Sequence, residues 1–150
     1  MHHRISAGAP VLNETRLLLA RHYSPGRYDF WAPSGGGVVG DEQLHTAAER
    51  ETFEETGICV QALRIAYIDE LIDSNGRMVK FWFFSRYLSG TIDVRSNPAA
   101  EERITEAGWF RQEELPVGHV FPAALRDDFW RQLPNGFPTP IKLPLLKSIF

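Results

Sequence analysis

Glu51, Glu54 and Glu55 lie within five residues of one another, and a glycine run, Gly35-Gly36-Gly37, precedes them. If this stretch is helical, at roughly 100° per residue the three carboxylates fall within a sector of about 100°. Leu44, Ala47 and Ala48 project into the same sector. The carboxylates therefore extend an apolar stripe and are expected to face the protein body rather than bulk water. Like charges gathered and partly desolvated in this way repel unless a cation neutralises them. Oxygen-only donors suit a hard ion, Mg²⁺ or Mn²⁺, and not zinc. Cys59 is the only cysteine, and His2, His3, His22, His45 and His119 lack ligand spacing. Arg50, immediately before the carboxylates, is expected to pair with Glu42 or another acidic neighbour and fix the geometry of the site. The glycines let backbone approach a metal or a phosphate closely. No Gly-Lys-Ser/Thr follows them, so this is not a P-loop.

The elements that must position these groups follow from local pattern. A helix is expected from Asp41 or Glu42 to Gly57, a good C-cap residue. Ile5 to Leu12 and Arg16 to His22 read as strands around the turn Asn13-Glu14-Thr15, and Tyr23 to Tyr28 as a loop. Cys59 to Ile72 reads as extended, Asn75-Gly76 as a hairpin turn, and Met78 to Leu88 as an aromatic-rich strand. A loop opens at Asn97-Pro98, a short strand is expected over Ile104 to Phe110, and a second helix over Phe121 to Leu133. The tail from Pro134 to Phe150 carries Leu143, Leu145, Leu146, Ile149 and Phe150. It is too apolar for a solvated linker and is expected to pack on the body or on a second subunit. Strands mixed with two helices imply an α/β fold with a mixed sheet.

At 150 residues the chain is expected to form one domain with a proper core. Its 43% apolar and 23% charged composition is that of a globular protein. No apolar run or leader-like segment points to a membrane or to export. A single cysteine fits a reducing cytoplasm. A net charge of −3 does not encourage binding to nucleic acid.

The segment Gly36 to Ile58, GGVVGDEQLHTAAERETFEETGI, resembles the Nudix box. That signature runs Gly, five residues, Glu, seven residues, Arg-Glu, an aliphatic residue, any residue, Glu-Glu, any residue, Gly, an aliphatic residue. It is met at Gly36, Glu42, Arg50, Glu51, Glu54, Glu55, Gly57 and Ile58; Thr52 stands where an aliphatic residue is usual. The similarity continues in Ala7-Gly8-Ala9, Leu17 to Arg21, Phe30 to Pro33, Glu106 to Phe110 and Glu113-Glu114-Leu115, so it covers roughly residues 4–133. Ser34, where proline often precedes the glycines, and Val39, often glutamate, depart without removing a catalytic group.

The resemblance implies an α/β/α sandwich with a curved mixed sheet, in one Nudix domain over residues 1–150 with a Pro-rich apolar tail from 134. It implies a pyrophosphohydrolase that uses Mg²⁺ or Mn²⁺ to cleave the diphosphate linkage of a nucleotide or nucleoside diphosphate derivative. By similarity, Glu51, Glu54, Glu55 and the Gly36 carbonyl are the metal ligands, Arg50 a supporting residue and Glu54 the first choice of base. Glu101 or Glu102, from a later loop, is a candidate additional base or ligand. Tyr23, Tyr28, Phe30, Trp82 and Phe84 are candidates for stacking on a base. Some subfamilies carry a proline or tyrosine marker after the box; here that window holds Asp73, Ser74, Asn75 and Gly76, so no subclass follows. Alternative functions are a catalytically silent nucleotide sensor and an RNA 5′-end pyrophosphohydrolase. An isoprenyl diphosphate isomerase would need a cysteine ahead of the box, which this chain lacks. The apolar tail makes a homodimer plausible.

Overall fold

The computed structural model describes residues 1–95 and 103–147; Glu101, Glu102, Ile149 and Phe150 lie outside the described residues. The expected first strand is two strands, β1 (His3–Ala9) and β2 (Val11–Asn13). Pro10 separates them because it has no N–H to give a ladder; its carbonyl still accepts the Ser85 N–H at 3.0 Å. β3 (Arg16–Ser24) turns back antiparallel on β2. The expected loop after it shrinks to three residues before β4 (Tyr28–Ala32). The glycine segment is not a loop but a short strand, β5 (Ser34–Gly37).

Helix α1 (Leu44–Thr56) starts later than expected. Glu42 is drawn instead into a turn, where its amide bonds the Val39 carbonyl and its carboxylate accepts the Val39 N–H. The stop at Gly57 is as expected: its φ of 79° is left-handed, and its N–H closes on the Phe53 carbonyl at 2.8 Å.

β6 (Cys59–Asp73) and β7 (Gly76–Ser89) form a long antiparallel hairpin. Its two-residue turn is Ser74-Asn75, one position earlier than the Asn75-Gly76 signal suggests, because Asp73 and Gly76 are themselves paired. β8 (Ile104–Phe110) lies antiparallel on β3, and β9 (His119–Val120) is parallel to β4.

The expected second helix is broken. A 3₁₀ turn covers Ala123–Leu125, and α2 (Asp128–Gln132) is a single short helix. Asp127, at φ −132° and ψ −54°, leaves helical geometry between them. Beyond it, β10 (Ile141–Lys142) and β11 (Leu146–Lys147) run parallel to β6, so the tail to Lys147 docks on the body.

The sheet is mixed: β1 and β2 run parallel to β7, while β5 is antiparallel to β1. Its pleat sends alternate side chains to opposite faces. Leu18 joins Ala47 and Ala48 of α1 in one core, while Leu17 and Leu19 join Phe129 and Phe137 in the other. This two-faced burial explains the unbroken Leu17-Leu18-Leu19 run. Among the described residues no helix is long and apolar enough to cross a membrane.

Candidate functional site

Register brings the glycine strand and the carboxylate helix together. β5 pairs with β1 as Ala7 with Gly36 and Gly8 with Gly35, and α1 packs across the same strands. A Cβ on Gly36 would stand 2.5 Å from the Glu51 carboxyl carbon. Only glycine lets this carboxylate lie on the strand. Glu51 and Glu55 are buried, at 7% and 1% exposure, with Ala47 and Ala48 beside them. Two of the three carboxylates thus continue the apolar stripe as expected. Glu54 sits at its rim, with 31% of its side chain exposed. The unusual Thr52 is fully buried, and its hydroxyl donates to the Ala48 carbonyl at 2.8 Å, so it costs the helix no unmet polar group.

Arg50 is the hub of this cluster rather than a surface residue. Its Nε and Nη2 donate to the two Glu42 oxygens at 3.1 and 2.7 Å, and Nη2 also reaches the Gly37 carbonyl at 3.1 Å. Nη1 is shared between Glu51 Oε1 at 3.1 Å and both Glu54 oxygens at 3.2 and 3.3 Å. The Arg50 hydrogen bonds, helped by the Val39 N–H, hold Glu42 below the usual carboxylate range. Glu51 behaves in the opposite way. Burial pushes its carboxyl upward, and Arg50 only partly offsets this. Its Oε2 is buried and has no hydrogen-bond partner among the described residues. A buried oxygen of this kind costs more than a satisfied one gains. The carboxylates are spread around the guanidinium. Among the described residues no three Asp, Glu, His or Cys side chains converge on one point closely enough to enclose an ion as they stand.

The remaining expectations divide. Glu101 and Glu102 lie outside the described residues. Trp82 is buried, and its ring lies against Gly8, where a Cβ would be 2.5 Å from Cζ3. Phe84 packs on Phe129 and Phe137 in the core. Neither offers a free face for stacking. Tyr23 is exposed under the Arg21 guanidinium, and Phe30 stacks on His22 at 4.7 Å between ring centres. Sequence reasoning missed Asp69 and Lys80, which face each other across the β6–β7 ladder. The available signal was a lysine at a strand position flanked by Val79 and Phe81, and an aspartate that follows Ile68 in a strand. It also missed a second arginine cluster, in which Arg21 bonds Asp29 through both oxygens at 2.9 Å and Glu106 at 3.2 Å.

The NUDIX domain family model matches residues 2–134. The chain belongs to the Nudix family. A NAD-capped RNA hydrolase, NudC, of Chromobacterium violaceum is 37% identical over 117 residues, covering 75% of this chain and 40% of that protein. The chain thus spans less than half the length of that curated relative. An RNA pyrophosphohydrolase of Novosphingobium aromaticivorans is 27% identical, over 76% of this chain and 81% of its own length. The crystal structure of a MutT NUDIX hydrolase from Burkholderia pseudomallei superposes with a TM-score of 0.69 at 26% identity, covering 84% of this chain and 96% of that one. The mixed α/β architecture is therefore the Nudix fold. The relatives named here are hydrolases, which agrees with the enzyme class expected from the box. The Nudix box occupies the end of β5 and the whole of α1, and its Arg50 is the residue that gathers the carboxylates.

Proposed function

We propose that this Nudix chain, acting as one domain, is a divalent-metal-dependent pyrophosphohydrolase that cleaves the diphosphate linkage of a nucleotide or nucleoside diphosphate derivative. The observation that carries this reading is the buried, unmet Glu51 Oε2, lying on Gly36 in a cluster where one guanidinium faces the carboxylates of Glu42, Glu51 and Glu54. The donor set fits Mg²⁺ or Mn²⁺: carboxylate oxygens of Glu51, Glu54 and Glu55 with the Gly36 carbonyl are all hard oxygen donors. When bound, such an ion neutralises diphosphate charge and acidifies water.

The protein's own groups do the rest. Arg50 Nε and Nη2 hold Glu42 and Gly37, and Glu51 and Glu54, which share Nη1, are the carboxylates that would hold the ion. Glu54, at the rim and half-exposed, is the carboxylate that solvent and substrate reach, and it takes the proton of the attacking water. The glycines of β5 admit the phosphates close to the backbone.

Substrate choice has a second reading, an RNA 5′ end, favoured by the names of two relatives. Arg27 over Tyr28 would offer such a strand charge and stacking. The test is hydrolysis, with Mg²⁺ and with Mn²⁺, of nucleoside triphosphates, ADP-ribose, sugar nucleotides, dinucleoside polyphosphates, NADH and 5′-triphosphorylated or NAD-capped RNA. The expected result is metal-dependent turnover that Glu54→Gln nearly abolishes. Binding without turnover would replace the enzyme by a nucleotide sensor.

A further inference from the structure

Ser34 opens β5 at 1% exposure, and its hydroxyl oxygen has no hydrogen-bond partner among the described residues. Ser85, also buried, spends its hydroxyl on the Phe83 carbonyl at 2.8 Å. A hydroxyl shut away from water and left unmet costs stability, so its presence needs a reason. Alanine would fill the same space without that cost. The proline that often stands before the glycines of a Nudix box would carry no hydroxyl.

Register fixes where this hydroxyl points. Ser34 pairs with Ala9 and Gly36 with Ala7, and residues two apart in a strand share a face. On that face Ala7 and Ala9 pack with Ala47 and Ala48 of α1. Gly36 carries the Glu51 carboxyl there, in the place its missing Cβ would take. The helix runs against β5. Arg50 reaches the Gly37 carbonyl at 3.1 Å, and its neighbour Glu51 lies on Gly36. At the far end Gly57 lies by Gly90, just past β7, a strand parallel to β1 and so opposed to β5. Four residues of helix advance about 6 Å and two residues of strand about 6.6 Å. Glu55, one turn beyond Glu51, therefore comes level with Ser34, one pleat beyond Gly36. Glu55 is itself 1% exposed.

One seam between β5 and α1 thus holds Ser34 Oγ and Glu51 Oε2, both buried and unmet, beside Glu55. A bound Mg²⁺ usually keeps several of its waters, and each of these has two hydrogens to give. A buried hydroxyl and a carboxylate oxygen on the same seam are acceptors for such a water.

We propose that Ser34 is a positioning residue of the cation site, its hydroxyl accepting a hydrogen bond from a water that the cation keeps. The hydroxyl holds that water, and with it the cation, against β5. This inference deepens the hydrolase reading and rests on its assignment of Glu51, Glu54 and Glu55 to the cation.

The test compares wild type, Ser34→Ala, Ser85→Ala and Glu51→Gln by Mn²⁺ titration and by thermal melts with and without Mn²⁺. Without metal, Ser34→Ala is expected to melt at or above the wild-type temperature, since it removes an unmet buried hydroxyl. Its affinity for Mn²⁺ should fall about tenfold, as when a group behind a metal ligand is lost. The rise in Tm that Mn²⁺ produces should shrink with it. Ser85→Ala should do the reverse, with a lower metal-free Tm and wild-type affinity. A Ser34→Ala variant that melts well below wild type without metal overturns the inference, because its hydroxyl would then serve the fold. Binding weakened in Glu51→Gln but unchanged in Ser34→Ala overturns this inference alone. A wild type that binds no Mn²⁺, or binding that Glu51→Gln leaves intact, overturns the cation assignment and this inference with it.

Discussion

Two arginines in this chain each gather several carboxylates, and they do so to different ends. Arg21 lies on the open surface of β3. It is held by Asp29 in a two-oxygen fork and by Glu106 from β8, with Tyr23 beneath it. Each of these acids is exposed to water, and Arg21 lowers Asp29 from its ordinary value. Arg50 has one acidic partner more, holding Glu42, Glu51 and Glu54, and a different setting. Glu51 is buried against Gly36, burial drives its carboxyl upward, and one of its oxygens stays unmet. A satisfied, hydrated cluster has no need of another cation. A desolvated and underserved one does, so of two similar ion-pair networks only the second reads as a site.

The strongest way to break this contrast is Gly36→Ala. The new Cβ meets the Glu51 carboxyl at 2.5 Å and must displace it. A loss of about 100-fold in kcat is expected, since an ångström of misplacement is enough for that, with far-UV circular dichroism unchanged. The equivalent change on the other side, Arg21→Gln, should leave kcat unaltered.

Arg50→Lys comes next. A single ammonium cannot serve Glu42, Gly37, Glu51 and Glu54 together, as the guanidinium does. A fall of roughly tenfold in kcat/KM is expected, in the range seen when a group that orients a ligand is lost. Steady-state kinetics with metal in excess checks it. Full activity in Arg50→Lys would reduce Arg50 to a surface ion pair.

A smaller effect sharpens the same distinction. Asp128 is partly buried, which raises its pKa, but the Tyr67 hydroxyl at 2.8 Å, with Gln132 and Arg131, outweighs this and leaves it lowered. It is the satisfied counterpart of Glu51. A depressed carboxyl contributes stability above its unfolded value, near 3.9, and loses it as pH falls through the folded value. Tyr67→Phe should therefore cost about 1 kcal/mol in urea melts at neutral pH. The gap from wild type should close as pH drops below about 4. A gap independent of pH would mean that the hydroxyl acts through packing alone. Arg21→Gln is the smallest case: its exposed pairs should leave urea stability nearly unchanged.

These groups were not equally legible in the chain. The box could be read because its carboxylates are close in sequence and its helix imposes their spacing; Gly57 closed that helix where a glycine should. The strand character of Ser34–Gly37 was hidden, since glycines carry no strand preference and β1 supplies the pairing. The break in the second helix depends on Asp127, whose backbone is set by the packing of Leu125 and Phe129 on either side of it. Arg21 and Glu106, or Asp69 and Trp82, meet only through strand register. Their partnership has no local signature, and neither does the unmet oxygen of Asp69.

Mn²⁺ binding to wild type, Glu51→Gln and Arg21→Gln, followed by electron paramagnetic resonance, shows whether the Glu51 cluster is incomplete without a divalent cation. Saturable binding is expected in the wild type and in Arg21→Gln, with affinity in Glu51→Gln reduced by an order of magnitude or more. Equal binding by wild type and Glu51→Gln would leave Arg50 as the only cation this cluster requires.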